Sequence, residues 1–499
     1  MIFDSKQFDK TVIILAAFVY LICAYLSVGY IHADEHFQIW EFANFKLGNT
    51  SESSLPWEYH DKIRSTLQPW LAYIVLFFLS KINCNDPYLI TLFCRLCTSI
   101  FALIVIYRFV NRFKHFVGEK YHGVLILVSY FLWFLPLVNC RFSSETLSGI
   151  FFLWALSFLN LKSKDFQSTF VVGVLCGFAF LFRYQVAFMI TGLFLWLIYI
   201  KIDIKYLILF ILGCALVVGF GVLIDRLFYQ VWVLTSWEYF YTNIIQDVAS
   251  SFGTTSWYSF MAAMVTNMFL PIGLVVILAV ILYFAINPRS IFTWILLPFI
   301  VVHLLIPHKE IRFLFPIVNF LPLVIVSSIE MVISLAKKSS SDIQIILSRS
   351  LLCIGALNVI TLIPGIVVIP SNGRIAMTKY VSSRYLNDNV SLYYLSTMES
   401  NPFQPYDFLH QSFYLKGNFT FIPLTSIDTL SKDIFENTGD VTRLFVLRNN
   451  DLLNPEIRNK IAAIGLKPEY YSNPRWTIPL RKMLLGDPFN RDYILYKFE

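Results

Sequence analysis

Thr11–Gln38 reads TVIILAAFVYLICAYLSVGYIHADEHFQ. From Thr11 to Ile31 no residue carries a charge, and the run is long enough to cross a bilayer core, which takes roughly 20 residues. It is too long for a signal-peptide core and lacks a convincing cleavage site, so it is expected to stay as a span. Directly behind it stand His32, Asp34, Glu35 and His36. Ionisable groups packed at the mouth of a membrane span are costly to desolvate, which marks them as a functional site by default.

The rest of the chain repeats the pattern. Of 499 residues, 57% are apolar, 17% aromatic and only 14% charged. A soluble domain carries about a quarter charged residues. Apolar runs near 11–31, 88–110, 122–139, 143–161, 168–182, 185–201, 205–224, 258–287, 291–306, 311–336 and 346–369 predict about eleven transmembrane helices. The stretch 67–82 is apolar but short. It opens with Gln68-Pro69-Trp70 and ends at Lys81, and it reads as a helix lying in the interface.

Charge tests that choice. With Lys6 and Lys10 cytoplasmic, alternation puts Arg108, Arg112, Lys114 and Lys120 on the same side. Lys162 and Lys164, Lys201 and Lys205, Arg289, and Lys337, Lys338 and Arg349 follow. Every short basic connection then obeys the positive-inside rule. The net charge of +7 therefore reflects topology and does not point to nucleic acid. The opposite, extracytoplasmic side receives the first loop 32–87, the long loop 225–257 and the tail 371–499. That side is the lumen, or the periplasm in a bacterium. The Asn-x-Ser/Thr triplets at Asn49, Asn389 and Asn418 fall there too.

The transmembrane part is expected to cover 1–370. The tail has a soluble composition, with strand patterns at Ser391–Thr397, Thr442–Arg448 and Asp492–Phe498 and a helical pattern near Glu456–Leu466. It reads as a small α/β domain. It contains no cysteine and must hold without disulfides. Cys94 and Cys97 form a C-x-x-C inside a span, where they read as small helix residues and not as a metal or redox site.

Five clusters carry possible chemistry. The first is His32, Asp34, Glu35, His36, Gln38 and Glu41. Adjacent carboxylates beside apolar surface raise one another's pKa, and one of them would suit a general base drawing a proton from a sugar hydroxyl. The bland alternative is a helix start with Asp34 as N-cap and Glu35 in the first turn. A metal site is a further alternative, although the spacing is not H-E-x-x-H. The second is Trp57, Glu58 and Tyr59 with Arg64: aromatic faces for a sugar and a fork-shaped donor for phosphate, or an interfacial aromatic belt. The third is Arg141 to Glu145, four apart and able to pair. The fourth is Arg183-Tyr184-Gln185. The fifth is His308-Lys309-Glu310-Ile311-Arg312, a plausible anion site. Arg95 alone lies well inside a span and needs a carboxylate or phosphate partner. The loop 225–257 mixes aromatic and polar residues, including Asp225 and Tyr229, and Trp257 follows it; this suits a carbohydrate or a lipid headgroup.

Taken in order, His32–Gln38, Leu55–Glu58 with Arg64-Ser65, Arg141–Glu145, Asp225–Trp232, Asn243, Gly253 with Trp257-Tyr258, and His308–Phe313 with Pro316 resemble one family. This is glycosyltransferase family 22, the mannosyltransferases that use polyprenyl- or dolichyl-phosphate-mannose. Its members that add the third mannose of the GPI anchor are most similar. The chain departs from the family in carrying Ala33 where Pro is usual and Arg183-Tyr184-Gln185 where many members have Arg-Pro-Thr.

The resemblance implies a polytopic all-α membrane protein of the GT-C fold and an inverting transfer of mannose onto a mannose of a lipid-linked glycan, a GPI precursor first among candidates. It implies Asp34 as base with Glu35 as understudy. His308, Lys309, Arg312 and Arg64 would hold the donor phosphate. His32, Gln38, Trp57, Glu58, Arg141, Glu145, Asp225, Tyr229 and Trp257 would contact substrate. The partners implied are a lipid-linked donor, a glycolipid acceptor and the membrane. No P-loop or Rossmann fingerprint is present, and neither a cofactor nor a metal is expected. A bacterial enzyme acting on another lipid-linked or surface glycan is the runner-up. A transporter is the rival of another class, but transporters place binding groups near the midplane, whereas these clusters sit at span ends.

Overall fold

The computed structural model describes residues 5–159, 166–367, 373–396, 401–404, 409, 411–432, 434, 441–473 and 492–498. Lys6, Lys162, Lys164 and Thr397, used above, have side chains or positions outside that set. The chain forms two compact units: one of 1–25, 61–68 and 93–367, the other of 26–60, 69–92 and 368–499. A single boundary at 370/371 therefore does not divide the chain, because most of the first loop belongs with the tail.

Among the described residues, five helices are long and apolar enough to cross a membrane: Gln7–Leu26, Pro87–Phe116, Ile204–Tyr229, Ile311–Ala336 and Ser341–Val367. Shorter apolar helices occupy Leu67–Lys81, Ser144–Phe158, Phe166–Phe182, Tyr184–Tyr199, Leu270–Ile286 and Ile291–Leu305. Hydropathy located these runs but not their breaks. The first helix ends at Leu26, and Gly29 turns the chain with φ +95°. The run 122–139 splits at Leu132 into His122–Phe131 and Leu135–Asn139. The run 258–287 splits into Trp257–Asn267 and Leu270–Ile286, with Phe269 at φ +67° between them. At 1.5 Å per residue the 15-residue helix Leu67–Lys81 is about 22 Å long, comparable to Ser144–Phe158.

Small residues set the helix contacts that position the site. A Cβ on Gly149 would lie 2.7 Å from the Pro316 carbonyl oxygen, so the helix Ser144–Phe158 comes to backbone contact with the 3-10 stretch Ile311–Phe320. A 3-10 run of that length is uncommon. Gly173 and Gly213 do the same for Phe166–Phe182 against Ile204–Tyr229. With little hydrophobic drive between helices in lipid, such close approach is what packs them.

The second unit contains a five-stranded sheet of β1 (Asn389–Leu395), β2 (Asn418–Leu424), β3 (Val441–Arg448), β4 (Leu466–Tyr471) and β5 (Tyr493–Phe498), in the order β2-β1-β3-β5-β4. β1 runs parallel to β2 and β3, and β5 antiparallel to β3 and β4. Side chains alternate faces along a strand. Leu444 and Val446 of β3 pack with Met377 and Val381 of the helix Arg374–Arg384. Phe445 and Leu447 pack on the other face with Ile461 and Ile464 of the helix Pro455–Ile464. A central strand covered on both sides explains why β3 reads as a continuous apolar run.

Candidate active site

Each unit carries one cluster. In the unit that holds the tail, the chain turns into a helix at Asp34, where the His36 and Phe37 backbone N–H groups both donate to the Ala33 carbonyl. The two adjacent carboxylates differ. Glu35 is buried, and its Oε2 accepts from the Ile31 N–H at 2.7 Å. It thereby satisfies a backbone donor three residues ahead of the helix start. Asp34 is more exposed, and its Oδ1 lies 3.2 Å from His32 Nδ1, which is also 3.3 Å from the Asp34 backbone nitrogen. The imidazole accepts from that N–H when neutral and pairs with the carboxylate when protonated. Gln38 and Glu58, both expected to contact substrate, meet each other: Nε2 of Gln38 donates to Oε1 of Glu58 at 2.8 Å. Trp57 opens the short helix Trp57–His60 beside them in sequence.

The other unit joins residues distant in sequence. Arg312 Nη1 donates to Glu145 Oε1 at 3.0 Å across 167 positions, and Arg183 Nη1 lies 3.3 Å from the same oxygen. Glu145 sits in the first turn of its helix, behind an N-cap at Ser143 whose side chain accepts from the Thr146 N–H. Arg312 also donates to both oxygens of Glu310, through Nε at 2.5 Å and Nη2 at 3.3 Å. His308 Nε2 stands 2.9 Å from Glu310 Oε1, and its Nδ1 2.8 Å from the Gly253 carbonyl. Around the Phe313 ring gather Arg183 and Arg312, 5.2 and 5.3 Å from its centroid, and His308, at 5.9 Å between centroids.

Sequence reading placed His308, Lys309 and Arg312 in one cation cluster and gave Glu310 and Arg183 no role. Alternation supplies the missing signal. Glu310 is extended, with φ −130° and ψ 143°, and in extended chain alternate residues share a side. His308, Glu310 and Arg312 thus form the network, whereas Lys309 donates to the Thr255 and Pro307 carbonyls. Burial pushes the Lys309 ammonium below its ordinary pKa.

Two expected substrate contacts, Asp225 and Tyr229, are hydrogen-bonded within the chain. Both oxygens of Asp225, buried at the end of its helix, accept from the chain's own donors. Oδ1 takes the Thr66 N–H at 2.7 Å and the Thr66 hydroxyl at 2.6 Å, and Oδ2 takes the Thr235 hydroxyl at 2.7 Å. Tyr229 donates to the Arg64 carbonyl at 2.9 Å, and the Arg64 guanidinium lies 5.4 Å over the Tyr239 ring. These contacts fasten the strap 61–68 to the helix Ile204–Tyr229. Trp257 is 61% exposed, at the start of its helix. Arg141 is buried, and Arg95 Nε donates to the Ala24 carbonyl at 2.8 Å.

Residues 10–375 match the model of the Alg9-like mannosyltransferase family. GPI alpha-1,2-mannosyltransferase 3 of Bos taurus is 23% identical over 302 residues, 58% of this chain and 53% of its own. GPI mannosyltransferase 3 of Candida albicans is 26% identical over 299 residues, 58% and 57% of the two chains. GPI mannosyltransferase 4 of Schizosaccharomyces pombe is 26% identical over 333 residues, 61% and 59%. The chain thus spans somewhat more than half the length of these curated relatives. Among solved structures, ArnT from Cupriavidus metallidurans bound to undecaprenyl phosphate superposes with a TM-score of 0.51 over 97% of each chain at 10% identity. The shared architecture is the GT-C fold.

Proposed function

The chain belongs to the Alg9-like mannosyltransferase family, and from that premise we propose that it transfers mannose from dolichyl- or polyprenyl-phosphate-mannose to a mannose of a lipid-linked glycan, in first place a GPI-anchor precursor. The observation that carries this reading is the division of labour between Asp34 and Glu35. Glu35 is buried on the Ile31 N–H, which favours Asp34 over its neighbour as the group that meets an acceptor hydroxyl. The relatives' names support mannose as the sugar and the GPI precursor as the acceptor.

Asp34 takes the proton of the acceptor hydroxyl. That oxygen bonds to C1 of mannose as the bond from C1 to the phosphate oxygen breaks, and the electron pair leaves with the lipid phosphate. Attack opposite the leaving group turns a β-linked donor into an α-linked product. Arg312, His308 and Lys309 stabilise charge growing on the phosphate, the kind of term that is often the largest in catalysis. Arg64 acts as a further cation. A lipid phosphate as leaving group requires no nucleotide, and the reaction as written draws on no cofactor or metal. The multi-pass arrangement and the positive-inside pattern support an active site on the lumenal face of the endoplasmic reticulum, or its periplasmic equivalent.

The test is transfer by the purified protein in detergent from radiolabelled dolichyl-phosphate-mannose to a panel of lipid-linked mannose acceptors, with Asp34→Asn alongside. Label on the two-mannose GPI precursor, lost in the variant, is the expected result. Label on a different lipid-linked glycan would replace the acceptor and keep the enzyme class. No transfer to any acceptor by folded protein would overturn the reading in favour of a transporter.

A further inference from the structure

The Asp34 turn is held by residues far along the chain. His36 and Glu41 are five positions apart, and on an α-helix such residues diverge by about 140°. The turn His36–Glu41 is π-helical, which brings positions five apart onto one side, and His36 Nε2 lies 2.9 Å from Glu41 Oε1. Turns of this kind are rare and concentrate at functional sites. Both groups are fully buried, and a buried carboxylate is costly unless donors surround it.

Those donors come partly from the tail. The Phe413 backbone N–H donates to Glu41 Oε1 at 2.9 Å, while Asn44 Nδ2 donates to Oε2 at 3.4 Å. The His36 ring is stacked between Tyr30 and Tyr414, with centroids 5.5 and 5.2 Å away. Trp40 stacks on Phe413 at 5.0 Å. Buried Gln411 donates to the Tyr30 hydroxyl at 2.9 Å, and Thr50 donates to Ser412 at 3.4 Å. Four consecutive residues thus each engage the segment that bears Asp34. The segment 411–416 is fixed in turn to the helix Arg374–Arg384, where Thr378 donates to Gln411 at 3.4 Å and the Lys416 N–H to Ser382 at 3.0 Å.

We propose that Gln411–Tyr414 is a brace for the Asp34 turn, and that Glu41 is the positioning residue through which the tail domain sets the catalytic carboxylate. The proposal rests on the reading of Asp34 as base. A tail without a residue in the chemistry would still govern the rate, since a misplacement of about 1 Å can cost about 10²-fold.

The test combines Glu41→Ala, Phe413→Pro, which removes the donating N–H, and the double variant. Two readouts are taken: amide hydrogen exchange of residues 33–41 in detergent, and kcat and KM with labelled dolichyl-phosphate-mannose and the two-mannose GPI precursor. Each single variant is expected to speed exchange in 33–41 and lower kcat roughly 10- to 100-fold, with both KM values within about twofold. The double variant is expected to be no worse than the worse single, because contacts acting as a unit are not additive. Glu41→Gln, whose amide oxygen still accepts from Phe413, should recover most of the rate. Parental exchange in both singles, or losses that multiply in the double, would overturn the brace. Should Phe413→Pro not fold, Gln411→Leu removes the bond to Tyr30 at similar volume and is judged by the same criteria. Exchange needs no substrate, so a failed brace is distinguishable from a failed base, which Asp34→Asn with normal turnover would reveal.

Discussion

The Asp34 turn and the Arg312 network both hold buried carboxylates, but they satisfy them with different donors. In the turn, Glu35 and Glu41 accept from the backbone N–H groups of Ile31 and Phe413, and imidazoles stand beside Asp34 and Glu41. In the network, Glu145 and Glu310 are met by guanidinium groups. Hydrogen bonds from neutral donors and guanidinium charges both favour the ionised carboxylate, but a close permanent cation does so most strongly and makes the poorer base. The network sets Arg183 and Arg312 against Glu145 and Glu310, two positive charges against two negative, and Lys309 is a further cation close by in sequence. The contrast supports the proposed division, with proton transfer at the turn and anion binding at the cations.

The contrast breaks most visibly at Asp34. Asp34→Asn should lower kcat by about 10²- to 10⁴-fold, the usual contribution of a general base, with the melting temperature in detergent near that of the parent; near-parental turnover would place the base elsewhere. Next in size is Arg312→Met. It takes one guanidinium from Glu145, and loss of a buried pair should cost about 3 kcal/mol, read by chemical unfolding. Unchanged stability would mean that the network is more hydrated than its burial implies.

Asp225→Asn sharpens the comparison by asking whether a third carboxylate belongs to either class. Its acceptors hold Thr66 and Thr235, so the expected loss is about 2 kcal/mol of stability with donor and acceptor KM unchanged. A selective rise in acceptor KM would return Asp225 to substrate binding. The smallest effect belongs to Lys309→Ala, which should raise donor KM about tenfold, or roughly 1.4 kcal/mol, and leave acceptor KM alone. The reverse pattern would remove Lys309 from the phosphate site.

Much of this was legible in the sequence because apolar runs and their periods are local. The expected strands at Ser391, Thr442 and Asp492 emerged as β1, β3 and β5, and the expected helix near Glu456 as Pro455–Ile464. β2 and β4 escaped because Pro423 and the run Lys467-Pro468-Glu469 interrupt their patterns. Breaks inside apolar runs, such as that at Phe269, carry no hydropathy signal. Sequence found the clusters but not their pairings. One partner of Glu145, Arg312, is 167 residues away, and only packing, with Gly149 admitting the Pro316 backbone, brings the two together. The hydroxyl partners of Asp225 were not legible, because a buried acid at a span end looks alike whether it meets a ligand or the chain's own hydroxyls.

The strand order has one consequence for the life of the protein outside its reaction. A sheet that is not closed into a barrel ends in two rows of unsatisfied backbone groups, and such rows recruit strands from other molecules. Here the terminal strands are β2 and β4, and each contains a proline, Pro423 in one and Pro468 in the other. A missing N–H at each margin interrupts any added strand. The same residues that hid these strands from the sequence reading thus discourage the sheet from recruiting strands of crowded neighbours.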